Sequence, residues 1–314
     1  MNMDFRSLRI VFLGTPEFAK SSLEALVDAG CNIAGVITAP DRPAGRGMKL
    51  TQSAVKEYAL SKGLHLLQPE KLKNPEFLAE LRELKADLQL VVAFRMLPEL
   101  VWNMPRMGTI NLHASLLPDY RGAAPINWAI INGEKTTGLT TFKLRQEIDT
   151  GDILLQKKLD VGDAETAGEL HDRMKEIGAA LLVDTVIQLA EGRVREVPQH
   201  TSQSEPKHAP KIFTETCRIN WQMDADHIYN LIRGLSPYPV AFTSLQNKVF
   251  KIYQARKEMI SHNEQPGDHA IIDGMLRFAC ANGYIYPEVV QAEGKRRMGV
   301  DEFLRGWRDG GAIS

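Results

Sequence analysis

Asn111 and His113 stand two residues apart in the run Asn-Leu-His-Ala-Ser-Leu-Leu-Pro-Asp-Tyr-Arg-Gly at 111–122. On an extended strand that spacing turns both side chains to one side. One is an amide that donates hydrogen bonds. The other is an imidazole that takes up and releases a proton near neutral pH. Alone, the pair reads equally well as a satisfied buried histidine beside a turn. Asp149, in Ile-Asp-Thr-Gly-Asp at 148–152, adds a carboxylate that alone would read as a turn former. Together, amide, imidazole and carboxylate suit acyl transfer: donors for a tetrahedral oxyanion and a group that moves a proton. None of Cys31, Cys217 and Cys280 has an adjacent histidine, so no covalent enzyme intermediate is read from them. They are odd in number and form no CxxC pair, so neither a disulfide framework nor a zinc site is expected, and no metal.

The elements that must position these groups alternate along the first half. Short apolar runs at 9–13, 32–38, 64–67 and 88–94, with another from 109, read as strands. Helical periodicity covers 17–29, 53–61 and 74–86. Strands alternating with helices of this length predict right-handed βαβ units and a parallel sheet, a Rossmann-like α/β fold. Runs such as Arg-Ile-Val-Phe-Leu at 9–13 are continuously apolar, as buried parallel strands are. The site run then falls at the carboxyl end of a strand, where open α/β sheets hold ligands. Two further strands, 138–144 and 152–159, suggest a hairpin-like edge, and a long helix is predicted over 166–191. Gly-Thr-Pro-Glu-Phe-Ala at 14–19 lacks the GxGxxG spacing, which argues against a dinucleotide site and a nicotinamide oxidoreductase.

The texture changes at 198–210, a stretch with three prolines and no apolar periodicity. It divides the chain into domains at 1–197 and 211–314, with a linker between them. Beyond it, a helix near 225–233 precedes short strand-like runs separated by Gly, Asn and Asp, which suggest a small β-barrel. The 314 residues are 44% hydrophobic and 25% charged, ordinary for a soluble globular chain. No targeting signal or bilayer-length apolar stretch is evident, so a cytoplasmic location is expected. Net charge is −1, which neither favours nor excludes nucleic acid. The loop Pro-Asp-Arg-Pro-Ala-Gly-Arg-Gly-Met-Lys-Leu at 40–50 concentrates Arg42, Arg46 and Lys49, with Lys56 just beyond. It fits either a solvated surface loop or a flexible RNA contact.

Asn-Leu-His-Ala-Ser-Leu-Leu-Pro-Asp-Tyr-Arg-Gly with Ile-Asp-Thr-Gly-Asp resembles the signature of the folate-dependent formyltransferases. The resemblance runs essentially end to end. Gly-Thr-Pro-Glu-Phe-Ala, the basic loop and Arg-Gly-Leu-Ser-Pro-Tyr-Pro-Val-Ala-Phe at 233–242 narrow it to the branch that formylates methionyl-tRNA. It implies 10-formyltetrahydrofolate as donor, initiator methionyl-tRNA as acceptor, and no obligate protein partner. It implies Asn111, His113 and Asp149 as catalytic residues. It also implies Ser115, Leu116, Leu117 and Pro118 as the folate wall, with backbone of 88–97 and 141–149 receiving the pterin. Arg42, Arg46 and Lys49 would touch the tRNA acceptor stem, and the last domain would be an OB-like barrel on which Lys211, Arg233, Lys248, Lys251 and 295–297 are candidate phosphate contacts. Each of these, taken singly, reads equally as a solvated surface charge. Arg95 and Val240 stand where relatives commonly have glycine, so local backbone differences are expected there.

Other readings separate on the same residues. An amino-sugar-nucleotide formyltransferase would share the 111–122 run but lack the basic loop. A glycinamide ribonucleotide formyltransferase would lack the domain after the linker. A non-catalytic RNA-binding protein on this fold would have no need to keep Asn111, His113 and Asp149.

Overall fold

The computed structural model describes residues 3–44, 49–199 and 205–306. Arg46 lies outside the described residues, as do 200–204 of the predicted linker. Packing divides the chain into two compact units: 1–122 with 137–159 and 171–208, and 123–136 with 160–170 and 209–314.

In the first unit, β1 (Arg9–Gly14), α1 (Glu17–Asp28), β2 (Asn32–Ile37), β3 (Arg42–Ala44) and β4 (Lys49–Thr51) come first. They are followed by α2 (Ala54–Ser61), β5 (Leu66–Leu67), α3 (Pro75–Glu83), β6 (Leu88–Val92), α4 (Glu99–Trp102) and β7 (Thr109–His113). The chain continues through β8 (Arg121–Gly122), α5 (Pro125–Ile131), which belongs to the second unit, β9 (Thr136–Lys143), β10 (Ile153–Asp160) and α6 (Ala167–Ala190). Seven strands order as β10-β9-β7-β6-β1-β2-β5. The pairs β5–β2, β2–β1, β1–β6 and β6–β7 are parallel, and β7–β9 is antiparallel. The strand order reverses outward from β1, which opens a crevice at the carboxyl ends of β1 and β6.

Local chemistry explains the elements. Ser53 caps α2 by accepting from the Lys56 N–H, and Asn74 caps α3 ahead of Pro75 at its first position; both are favoured helix starts. All five residues of β6 are buried, and so are five of the six in β1. The buried strand ends at Val92 rather than at 94, because Ala93 turns into the left-handed region at φ +45°. That turn carries Arg95, whose guanidinium donates to the carbonyls of Glu70 and Pro69. The left-handed residue is therefore Ala93, two before the position at which the resemblance places a glycine.

The basic segment is not a plain loop. β3 and β4 form an antiparallel ribbon pairing Arg42 with Thr51, Pro43 with Leu50 and Ala44 with Lys49.

The second unit holds β11 (His208–Ala209, at its border), α7 (Ala225–Gly234), β12 (Ala241–Leu245), β13 (Lys248–Met259) and β14 (His269–Ile272). β15 (Met275–Cys280), β16 (Gly283–Ala292), β17 (Met298–Gly299) and α8 (Val300–Arg305) complete it. The strands run β12-β13-β16-β15-β14 with β17 beside β16, and the pairs from β12 to β17 are antiparallel. Their inner face buries Phe250, Ile252, Phe278, Ile285 and Val290 against α7 and α8. Val240, at the turn into β12, is buried and takes φ +82°, a left-handed conformation that a β-branched residue adopts only under strain. Arg233 corrects one expectation. It is 5% exposed and donates to Asn230 and to the carbonyls of Gly162 and Glu165, so its donors face the unit's own interior and not a phosphate.

Candidate active site

β7 carries Asn111 and His113 on one side, as the alternation of a strand requires. His113 is 7% exposed and meets the ring of Phe142 edge-on, with centroids 6.5 Å apart. Its Nε2 lies 2.9 Å from the carbonyl oxygen of Tyr120. A carbonyl only accepts, so Nε2 carries a hydrogen, and Nδ1 is the ring nitrogen left for other contacts. Nδ1 faces Oδ2 of Asp149 at 3.9 Å, a charge contact longer than a hydrogen bond. Asn111 is half-buried, and its amide makes no hydrogen bond with the described residues.

Asp149 is held from two sides. Its Oδ2 accepts the Gly122 N–H at 3.0 Å. Its own carbonyl and that of Gly151 accept from Nε2 of Gln199, at 2.9 and 2.8 Å. Asp149 sits in the left-handed region at φ +54°, which short polar side chains tolerate best after glycine. Gly151 is dictated by close approach: a Cβ there would lie 1.6 Å from the carbonyl oxygen of Lys143. The spacing of Ile-Asp-Thr-Gly therefore follows from how tightly this turn folds onto the end of β9.

Three consecutive residues organise the centre. The Tyr120 carbonyl fixes His113, the Gly122 N–H fixes Asp149, and Arg121 donates from Nε and Nη2 to Oε1 of Gln199 at 3.1 and 2.6 Å. Tyr120 and Gly122 have φ of +61° and +124°. Glycine is the residue that adopts the second of these without strain. Residue type does not mark Tyr120, Gly122 or Gln199, because the first two act through their backbone. Gln199 falls in the proline-rich stretch that reads as linker.

The bend 115–118 is tied to Asp119 and to side chains of β9 and β10. Ser115 Oγ donates to the Asp119 carbonyl, and Thr140 Oγ1 donates to the Ser115 carbonyl. The Leu117 N–H donates to Thr140 Oγ1, and Gln156 donates to the Leu117 carbonyl. Leu116 lies over Gly138, where a Cβ would come within 2.4 Å of it. Leu116 and Pro118 add apolar side chains to that bend. Beside the Asp149 turn, Arg121, Arg145, Gln146, Glu147, Thr150 and Gln199 line an open cavity of about 740 Å³.

The base of the β3–β4 ribbon is pinned. Asp41 pairs with Lys56 Nζ at 2.5 Å and accepts from Gln68 Nε2 at 3.0 Å. Those hydrogen bonds hold its carboxyl below the usual carboxylate range. Lys56 is thus the ribbon's anchor rather than one of its free charges. Arg42 is exposed on β3, and Lys49 stands opposite Ala44.

Among the described residues, no group of three or more His, Cys, Asp or Glu could hold a metal, and no helix is long and apolar enough to cross a membrane.

Residues 8–186 match the family described as formyl transferase, and residues 211–308 match the formyl transferase C-terminal domain. The chain is 51% identical over 314 residues to the methionyl-tRNA formyltransferase of Bacteroides fragilis, covering 97% of each chain. It is 51% identical over 316 residues to that of Parabacteroides distasonis, covering 98% of each. Among solved structures, it resembles the sugar 3N-formyl transferase WlaRD, crystallised with dTDP and 5-N-formyl-THF. The TM-score is 0.67 at 18% identity, covering 92% of this chain and 99% of that one. HypX from Aquifex aeolicus in complex with tetrahydrofolic acid gives a TM-score of 0.63 at 18% identity, covering 95% of this chain and 47% of that one.

Proposed function

From a chain that belongs to the methionyl-tRNA formyltransferases, we infer the reaction: a formyl group passes from 10-formyltetrahydrofolate to the free amino group of initiator methionyl-tRNA, giving N-formylmethionyl-tRNA for translation initiation. The protein works in the cytoplasm, where that acceptor is made and used. Residues 1–197 carry the chemistry, 211–314 dock the tRNA, and 198–210 link them, with Gln199 of that stretch bonded to the Asp149 turn.

The observation that carries the assignment of residues is the pairing of a free amide with an oriented imidazole. Among the described residues the Asn111 amide has no hydrogen-bond partner, and it is half-buried on the same side of β7 as His113. The bend 115–118, tied to Asp119, Thr140 and Gln156, offers an apolar wall. A free donor against an apolar wall suits a flat, formamide-bearing folate. When bound, that folate supplies the formyl group and leaves through N10.

The amine attacks the formyl carbon, and the carbonyl oxygen gains negative charge. Asn111 donates its amide N–H to that oxygen, and His113 donates from Nδ1 when protonated. Donors held in place before the reaction supply the greatest share of the rate enhancement in many acyl-transfer sites. With Nε2 committed to Tyr120, Nδ1 is the atom that exchanges a proton between the attacking nitrogen and the departing N10. Asp149 faces that nitrogen at 3.9 Å. Arg42, Arg46 and Lys49 touch the phosphates of the acceptor stem, and opening that end brings the aminoacyl group to His113.

The test is formyl transfer by the purified protein, offered 10-formyltetrahydrofolate with initiator methionyl-tRNA, elongator methionyl-tRNA or an amino sugar nucleotide. Formylation confined to initiator tRNA is expected. Transfer to the sugar nucleotide would keep the catalytic trio and overturn the tRNA assignment.

A further inference from the structure

We propose that Gln199 is a positioning residue for formyl transfer, setting the place of Asp149 from within the stretch that reads as a linker. The inference rests on the functional reading above for the role of Asp149. Its geometry stands apart from that reading.

The Gln199 side chain is fully committed. Its two amide hydrogens have two acceptors, the carbonyls of Asp149 and Gly151. Its oxygen takes both available donors of the Arg121 fork. An amide can rotate by half a turn and exchange oxygen for nitrogen, but here such a flip would face two carbonyls with an oxygen and a guanidinium with an amine. Arg121 therefore fixes the sense of the amide. The two N–H groups then grip the turn at both ends of Thr150.

That turn needs a grip from outside. Asp149 is left-handed, and Gly151 presses against the Lys143 carbonyl with no room for a Cβ. No regular pairing holds 149–151, which lies between β9 and β10. The remaining bond to the Asp149 side chain comes from Gly122, the residue after Arg121. One short segment thus controls the carboxylate directly through Gly122 and its backbone indirectly through Arg121 and Gln199. The arrangement joins residues 78 apart, Arg121 and Gln199, and 50 apart, Gln199 and Asp149. It explains why a glutamine in an aperiodic stretch is ordered beside the site. Small displacements of a reacting group are costly: about 1 Å can lower a rate on the order of 100-fold.

The experiment compares Gln199→Leu and Gln199→Glu with the wild type in steady-state transfer to initiator methionyl-tRNA. Glutamate keeps an acceptor for Arg121 and loses both N–H donors, so it isolates the grip on the turn. Both variants are expected to lose on the order of 10–100-fold in kcat. KM for tRNA and for the folate should stay within about twofold, with an unchanged melting temperature. In an Asp149→Asn background, Gln199→Glu should cost less than about threefold, since the two changes act on one group.

Near-normal kcat in Gln199→Glu would overturn the proposal. So would a rise in KM for tRNA at constant kcat, which would make Gln199 an RNA contact. Full additivity with Asp149→Asn would do the same. If the wild-type protein formylated nothing, the functional reading would fail, and the positioning claim would be read by crystallography alone. Gln199→Leu should then show the 149–151 turn moved away from His113, and an unmoved turn would end the proposal.

Discussion

The His113–Asp149 centre and the β3–β4 ribbon belong to the same unit but are held in opposite ways. At the centre, each side chain is placed by a main-chain group of 120–122, and the turn bearing Asp149 is gripped again by Gln199. The ribbon has three residue pairs and is pinned at its base through Asp41, Lys56 and Gln68. Beyond that base, Arg42 and Leu50 are exposed. Chemistry on a formyl carbon tolerates little error in distance. Contact with a phosphate backbone is charge-driven and tolerates a moving partner. The difference in anchoring matches the difference between the tasks proposed for the two.

Changes at the centre should therefore act on kcat, and steeply. Asp149→Asn and His113→Ala are expected to lower kcat on the order of 10³-fold or more, the scale of a lost proton-transfer group. Asn111→Ala should cost about 10²–10³-fold, as for one oxyanion donor. Single-turnover formylation measures both, and tRNA binding by filter retention should be nearly unchanged. Near-normal turnover in His113→Ala would remove the mechanism above. The next largest effect separates backbone from side chain. Gly122→Ala adds one methyl at φ +124°, a conformation costing roughly 1–3 kcal/mol for an L-residue. If the 120–122 segment places Asp149, kcat should fall about 10–100-fold while KM holds. A kcat within twofold of wild type would mean that the Gly122 contact is dispensable and the centre less rigidly built than the ribbon comparison requires.

Much of this was legible in the residues. The parallel sheet followed from apolar runs alternating with helical periodicity, and the same-side placement of Asn111 and His113 followed from strand period alone. The small β domain after the linker followed from short strand-like runs separated by turn residues. What escaped has a common cause. Tyr120 and Gly122 make their contacts through C=O and N–H groups that every non-proline residue owns, so residue type does not mark those contacts. Gln199 depends on contacts 50 and 78 positions away, which no local pattern reports. The ribbon read as a loop because its strands are only three residues long and one of them holds Pro43. Arg233 read as a phosphate ligand because charge suggests surface, whereas its donors are used on Asn230, Gly162 and Glu165.

At the ribbon the effects should be smaller and fall on KM. Arg42→Ala should raise KM for initiator tRNA about tenfold, as for one charge-assisted phosphate contact. It should reduce the slope of log affinity against log salt by about one unit, while folate binding and single-turnover kcat at saturating tRNA stay near wild type. A fall in kcat with unchanged KM would place Arg42 with the centre and dissolve the contrast.

Lys56→Met sharpens the contrast from the other side, with the smallest effect. It keeps the length of the stem and removes the partner that, with Gln68, holds Asp41. If Lys56 served the tRNA directly, the salt slope would fall as it does for Arg42. As an anchor, it should leave the slope alone and raise KM about two- to fivefold, the scale of a partly exposed ion pair. The sign of the pH effect follows from Asp41, whose carboxyl is held below its ordinary range by Lys56 and Gln68. Its contribution to the ribbon is complete above the ordinary carboxylate range and is lost as pH falls through the lowered value. Amide exchange in residues 42–44 and 49–51, corrected for intrinsic rates, should therefore stay slow in the wild type down to mildly acidic pH. In Lys56→Met it should be faster throughout, and equal protection in the two proteins would show that the ribbon is held by its strand pairing instead.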